Sequence, residues 1–200
     1  MDLHLKDKIV LITGGTNGLG LRIARAFAGE GANVCVCSID PENKLREVEN
    51  ELKERGVKAA AIKANVCAAD EANYVVEETV KRFGGIDILI NNVGKRFGDS
   101  LFEATEEQWL MTYDSIVFQA IRMIKLAAPE MRKRGGGSIV NIASVSGWLP
   151  QLAKGSQYSS SKSAVIFLAE PLALELCHDN IRVNTVSPGS MISPDGVWEK

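Results

Sequence analysis

The sequence predicts an α/β fold, a doubly wound parallel sheet of about six strands with helices on both faces. Three observations predict it. Short apolar runs recur along the 200 residues, helix-sized segments separate them, and a glycine-rich turn follows directly on the first run. Apolar runs without strict alternation are how strands covered on both faces read. Strand–helix alternation implies parallel pairing through right-handed crossovers.

The first run, 8–13 (KIVLIT), feeds a helix over 18–29. The second, 33–39 (NVCVCSI), precedes Pro41-Glu42, a suitable first turn for a helix over 42–55, which Gly56 stops. The third, 58–64 (KAAAIKA), is followed by a helix over 69–83 that closes on Lys81-Arg82 and Gly84-Gly85. After the fourth run, 86–91 (IDILIN), the longest helical segment covers 106–133 and stops at Gly135-Gly136-Gly137. The fifth run, 138–143 (SIVNIA), leads to a helix over 156–177, and the sixth run is 181–187 (IRVNTVS). Pro171 lies inside that last helix. It removes a hydrogen bond at a cost of about 3 kcal/mol, so a kink or break is expected near 167–171.

Composition narrows the function classes. At 46% hydrophobic and 24% charged the chain is not disordered, collagenous or coiled-coil. A net charge of −2 with interspersed signs offers no reservoir for nucleic acid. No apolar run approaches the roughly 18–20 residues of a membrane span, and the N-terminus has no signal-peptide stretch. A cytoplasmic protein with one domain over 1–200 is expected. The four cysteines have no metal spacing, and Cys35 and Cys37 read as buried filler in a reducing compartment, so no metal is expected. Only two histidines, His4 and His178, are present, which leaves little room for imidazole chemistry.

The turn after the first run is Thr13-Gly14-Gly15-Thr16-Asn17-Gly18-Leu19-Gly20. A pyrophosphate needs free backbone N–H groups at a helix N-terminus and no side chain in the way. No Gly-Lys-Ser/Thr follows, which argues against a nucleotide triphosphatase.

Four motifs in order, Thr13-Gly14-x-x-x-Gly18-x-Gly20, Asn91-Asn92-Val93-Gly94, Tyr158-x-x-x-Lys162 and Pro188-Gly189, resemble those of the short-chain dehydrogenase/reductases over essentially the whole chain. The resemblance implies a Rossmann-type fold and a nicotinamide cofactor. It implies cofactor contacts at Gly14, Thr16, Asn17, Gly18, Leu19 and Gly20, at Ser38, Asn65 and Val66, at Asn92 and Gly94, at Tyr158 and Lys162, and at Pro188 and Gly189. It also implies a homo-oligomer, dimer or tetramer, with one interface on the helices 106–133 and 156–177.

Tyr158 and Lys162 share one helix face. A free phenol titrates near 10, too high for a base at neutral pH. An ammonium at about 4 Å, at an effective dielectric near 20, stabilises a phenolate by about 4 kcal/mol. Ser144 follows the fifth run, where a parallel sheet binds its ligands, and by resemblance it is the catalytic serine, with Ser146 as the competing candidate. No Gly-x-Ser-x-Gly elbow is present, which argues against a hydrolase. The expected activity is hydride transfer between NAD(P) and a carbonyl or secondary alcohol, with Ser144, Tyr158 and Lys162 catalytic. The alternatives are a nucleotide-binding partner protein that has lost catalysis and, ranked low, a sugar-nucleotide epimerase or dehydratase.

Four departures from the family accompany these motifs. Ile116 stands where the family has a catalytic asparagine, so any proton relay must use another group, with Ser115 or Asp114 as candidates. Asn65 replaces an aspartate beside the adenine. Ser38 ends the second strand without an acid or an arginine. It leaves room for a phosphate, which tilts the reading to NADP(H) over NAD(H), although Asp40 is close enough to reach a ribose. The chain also stops soon after Pro188-Gly189, so the family's final helix and strand are expected to be missing and the sixth strand to form an open edge. Ser193 is a candidate partner for the carboxamide. Trp148, Gln151 and Leu152 suggest a mixed, partly apolar substrate pocket.

Overall fold

The computed structural model describes residues 1–149 and 155–190. Its elements follow the sequence order β1 (Ile9–Thr13), α1 (Gly18–Gly29), β2 (Asn33–Ser38), α2 (Glu42–Lys53), β3 (Ala59–Lys63), α3 (Ala69–Phe83) and β4 (Ile88–Asn91). There follow α4 (Glu106–Tyr113), a π-helical segment (Asp114–Phe118), α5 (Gln119–Lys133), β5 (Gly137–Ile142), α6 (Ser156–Leu176) and β6 (Ile181–Val186). The six strands form one parallel sheet in the order β3-β2-β1-β4-β5-β6. β1 lies between β2 and β4, so the chain reverses its direction of travel across the sheet there. A crevice opens at such a point, outside the carboxyl ends of the strands.

Each face of the sheet carries its own core. Val10 and Ile12 of β1, with Val34 and Val36 of β2, pack under Leu21, Ala24 and Ala28 of α1 and Val48 and Leu52 of α2. The alternate residues Leu11, Cys35 and Leu89 turn the other way, against Val75 and Val76 of α3 and Met123, Ala127 and Met131 of α5. Two-sided burial explains why these strands read as continuous apolar runs. Cys35 and Cys37 are both buried, and burial pushes their thiols up, to about 12 at Cys35.

The helix ends follow their local chemistry. Thr105 and Gln108 make a reciprocal capping box at the start of α4, and Gly84 closes α3 in the left-handed region at φ 91°. The segment expected as one helix over 106–133 is interrupted by the π-helical residues between α4 and α5. The break expected near Pro171 does not occur, because α6 continues from Ser156 to Leu176. The carbonyl of Phe167, which loses its partner to the proline, belongs to a residue 75% exposed, where water can take the bond. Pro129 is carried inside α5 in the same way, with no warning from the apolar pattern. Among the described residues no helix is long and apolar enough to cross a membrane, and no group of three or more metal-ligating side chains forms.

Candidate active site

The glycine-rich turn is clamped to the end of β4. Thr13 Oγ1 accepts the backbone N–H groups of Asn92 (3.0 Å) and Val93 (3.2 Å). In return the Asn92 amide donates to the carbonyls of Thr13 (3.0 Å) and Gly14 (3.1 Å). This close approach dictates the glycines. A Cβ on Gly20 would lie 2.1 Å from the Gly14 oxygen, and Gly14 itself has φ +65°.

The start of α1 fits a dinucleotide pyrophosphate. Asn17 makes no side-chain cap, and the first turn holds no acid, unlike the first turns of α2, α3 and α4. The N–H groups of Gly18, Leu19 and Gly20 are therefore left for an anion, and nothing lies within 4 Å of where a Cβ on Gly18 would stand. A cavity of about 470 Å³ runs from this turn along the sheet edge, lined among others by Gly14, Asn17, Ser38, Asn65, Val66, Asn92 and Gly94. Seven of the expected cofactor contacts thus meet in one space. Thr16 is buried behind it.

At the end of the cavity lined by Ser38 and Ile39, the carboxylate of Asp40 folds back onto the turn. Its Oδ2 accepts hydrogen bonds from Thr16 Oγ1, from Ser38 Oγ (2.8 Å) and from Asn17 Nδ2 (3.2 Å). The Thr16 hydroxyl, together with the Ser38 hydroxyl and the Asn17 amide, holds its carboxyl below the usual carboxylate range against the opposing effect of burial. Asn65 shapes the next wall. Its side-chain oxygen accepts the Cys67 N–H (3.1 Å) and its own N–H donates to Glu71 (2.7 Å).

The three residues expected to be catalytic, Ser144, Tyr158 and Lys162, are not part of the cavity lining but lie beyond Gly94. Lys162 is 4% exposed, its Nζ donates to the Ile142 carbonyl (2.7 Å), and it lies 5.7 Å from the centre of the Tyr158 ring. Burial lowers it from its ordinary 10.5 to about 8. Gly94 links the cavity to them. It lines the cavity, and a Cβ there would stand 3.3 Å from Lys162 Nζ and 3.2 Å from Ile116 Cγ1. Ser144 follows β5, and its Oγ accepts the Ser146 N–H (3.2 Å), capping a short turn over Val145–Gly147. Gly147 sits against the backbone of Lys162 and Ser163, where a Cβ would meet main-chain atoms at 2.9 Å. The serine's turn is thereby pinned to the helix that carries Tyr158 and Lys162. Ser146 serves that turn.

Pro188 and Gly189 follow β6, and the Pro188 carbonyl accepts the Val145 N–H (3.0 Å), which draws them beside Ser144. Ser193, Gln151 and Leu152 lie outside the described residues. Trp148 is 67% exposed, with its indole N–H on Ser187 Oγ (3.1 Å).

Ile116 is 2% exposed and packs in a small apolar cluster with Val117, Ala143 and Val165, to which Tyr158 adds its ring. Neither relay candidate is hydrogen-bonded to Lys162 among the described residues. Ser115 Oγ donates to the Lys95 carbonyl (2.7 Å), and Asp114 pairs with Arg122 (3.2 Å).

Sequence reasoning missed the structural part of Gln157. It is fully buried, and its amide donates to the carbonyls of Phe97 (2.9 Å) and Gly98 (3.0 Å), tying the 95–101 loop to the first turn of α6. Its place beside Tyr158 was the only available signal.

A family model described as short chain dehydrogenase matches residues 8–196. The chain is 39% identical over 186 residues to dehydrogenase/reductase SDR family member 4 of Homo sapiens, covering 92% of this chain and 66% of that protein. It is 36% identical over 186 residues to the 3-oxoacyl-[acyl-carrier-protein] reductase FabG of Staphylococcus aureus, covering 93% of this chain and 75% of that one. Among solved structures it superimposes on L-sorbose reductase from Gluconobacter frateurii, complexed with NADPH and L-sorbose, with TM-score 0.92, 36% identity and coverage of 98% and 74%. A NAD⁺-bound xylitol dehydrogenase gives TM-score 0.89, 30% identity and coverage of 95% and 73%.

Proposed function

The chain belongs to the short-chain dehydrogenase/reductase family, and from that premise we propose that it is an NAD(P)-dependent oxidoreductase acting on a small carbonyl compound or secondary alcohol. The observation that carries this reading is the Gly94 junction, where the wall of the cavity beside the glycine turn abuts the buried ammonium of Lys162 on the helix of Tyr158. The similar L-sorbose reductase, complexed with NADPH and L-sorbose, and the NAD⁺-bound xylitol dehydrogenase support it.

The uncapped start of α1 holds the pyrophosphate, and the wall from Asn92 to Gly94 seats the nicotinamide half. The bound nicotinamide supplies or accepts the hydride. Ser144 Oγ still has its own hydrogen to donate while it accepts from Ser146, so it orients the substrate oxygen. Tyr158 gives that oxygen a proton in reduction and takes it back in oxidation. At pH 7 Lys162 keeps its charge, holds the ribose and stabilises the phenolate beside it. Pro188 and Gly189, drawn toward Ser144, flank the carboxamide. Exposed Leu110, Phe118, Phe167 and Leu174 on α4 to α6 suit a dimer interface between copies of the chain.

The test is a nicotinamide-fluorescence titration with NADH and NADPH, followed by a carbonyl panel read at the reduced-nicotinamide absorbance. Saturable binding with turnover of at least one carbonyl is expected. The apolar seal that Ile116 makes beside Lys162 favours one second reading, a dinucleotide-binding partner without catalysis. Binding without turnover of any substrate would select it.

A further inference from the structure

The stretch that carries Gly94 is laid along one face of the helices that follow it. Gln119 Nε2 donates to the Val93 carbonyl (3.2 Å). A Cβ on Gly94 would stand 3.2 Å from Ile116 Cγ1. Ser115 Oγ accepts the Lys95 N–H (3.2 Å) and donates to the Lys95 carbonyl (2.7 Å), and Thr112 Oγ1 accepts the Phe97 N–H (3.0 Å). Val93, Gly94, Lys95 and Phe97 thus meet Gln119, Ile116, Ser115 and Thr112, in antiparallel order. Positions 112, 115, 116 and 119 form one helical stripe, and none of them is more than 5% exposed. Such a stripe is ordinarily apolar. Here three of its four side chains are polar, and each is spent on the main chain of the cavity wall, since Val93, Gly94, Lys95 and Phe97 all line the cavity. The π-helical turn runs through the middle of the stripe, with the Gln119 N–H reaching back to the Asp114 carbonyl.

Gln119 holds the pivotal point. Val93 is fixed from both sides, its N–H on Thr13 Oγ1 of the glycine turn (3.2 Å) and its carbonyl on Gln119. Gly94, next in the chain, is where the wall abuts Lys162. A carbonyl only accepts, so the Gln119 amide must turn its NH₂ toward Val93. Its Oε1 is then buried with no hydrogen-bond partner among the described residues. For stability alone that is a poor use of a core position, because a desolvated acceptor is costly where a methionine would fit. What the amide supplies is placement. We propose that Gln119 is a positioning residue for the reaction, holding the wall at Val93 and Gly94 against Lys162 so that the lysine stays shut off from water at a fixed distance from the cavity. The proposal rests on the oxidoreductase reading above. Burial is what lowers Lys162 to about 8, with no charged side chain among the described residues contributing, and Gly94 is part of that cover.

The experiment uses Gln119→Met, which keeps the length of the side chain and removes its donor. Turnover of the best carbonyl found for the unaltered chain is followed from pH 7 to 10.5, beside melting curves. The variant is expected to melt close to the unaltered chain and to lose at least about tenfold in kcat, since small misplacements near the chemistry are costly in rate. Its alkaline limb, near 8 in the unaltered chain, should move up toward 10.5 as water reaches the ammonium. A merely structural part for Gln119 would lower the melting temperature and leave the limb in place. If the variant does not fold, NMR of the unaltered chain takes over. The Gln119 side-chain amide protons should then be protected from exchange and should shift as Lys162 titrates near 8. Turnover in the unaltered chain with an unmoved limb in the variant overturns the proposal alone. So does an amide that exchanges freely or stays still through that titration. A chain that turns over no carbonyl overturns the oxidoreductase reading along with it.

Discussion

In the β3–β2–β1 half of the sheet the strands are covered on both faces. All five residues of β1 are buried, and so are Val34 to Ser38 of β2. In β6, at the opposite edge, Ile181 and Val183 are buried while Arg182, Asn184 and Val186 are exposed. The first half presents its chemistry through backbone and short polar side chains: the free N–H groups of α1, Thr13, Thr16 and Ser38. The second presents long side chains from a helix laid over a singly covered strand. A pyrophosphate is the same in every dinucleotide, so a rigid backbone cradle suits it. A reacting carbonyl must be met by side chains whose charge can change.

The difference can be attacked from both sides, beginning where the largest effect is expected. Gly20→Val should abolish dinucleotide binding and destabilise the fold, since its Cβ would stand 2.1 Å from the Gly14 oxygen. Circular dichroism and a binding titration read the two losses. Tyr158→Phe should leave dinucleotide affinity unchanged and lower turnover at least about 10²-fold. An unchanged rate would remove Tyr158 from the chemistry.

Lys162→Met should slow turnover yet stabilise the free chain, by up to about 3 kcal/mol at pH 7, because a buried ammonium is removed. The sign follows from burial, which lowers the folded value to about 8 from 10.5. Between those values the unfolded chain holds a proton that the folded chain has released, so stability rises with pH across that window. Melting temperatures from pH 7 to 10.5 should show that rise in the unaltered chain and lack it in the variant. Turnover should fall as pH climbs through about 8, when the ammonium beside Tyr158 is lost.

Val34→Ala, in the doubly covered half, should cost about 2 kcal/mol, while Val186→Ala, at the exposed edge, should stay within about 0.5 kcal/mol. Equal costs in urea melts would erase the contrast between the halves. The smallest effect is expected at Ile116→Asn. It should raise turnover a few-fold if proton supply to Lys162 limits the rate, at some cost in stability for burying an amide. No gain would mean that protons travel by another route.

The strands and their helices were legible because two-sided burial writes itself as apolar runs such as IVLIT. The glycine turn was legible because two of its demands arise within the turn, the positive φ of Gly14 and the closeness of Gly20 to the Gly14 oxygen. Other features depend on contacts between distant parts of the chain. Asp40 meets Thr16 across 24 residues, so nothing beside it in sequence marks its carboxylate as part of the turn. The π-helical segment under Ile116 leaves the apolar pattern intact. Pro171 carries a real local penalty, but packing of Leu172, Ala173 and Leu176 against the sheet core keeps the helix going.

The clamp between Thr13 and Asn92 joins residues 79 positions apart. Closing so long a stretch of chain costs entropy that no local contact returns, so this join belongs among the later events of folding. A nascent chain can build β1, the glycine turn, α1 and β2 well before β4 has emerged, but the Asn92 that locks the turn is not yet there. A dinucleotide that bound only the completed crevice would shift the balance toward the chains that have closed it.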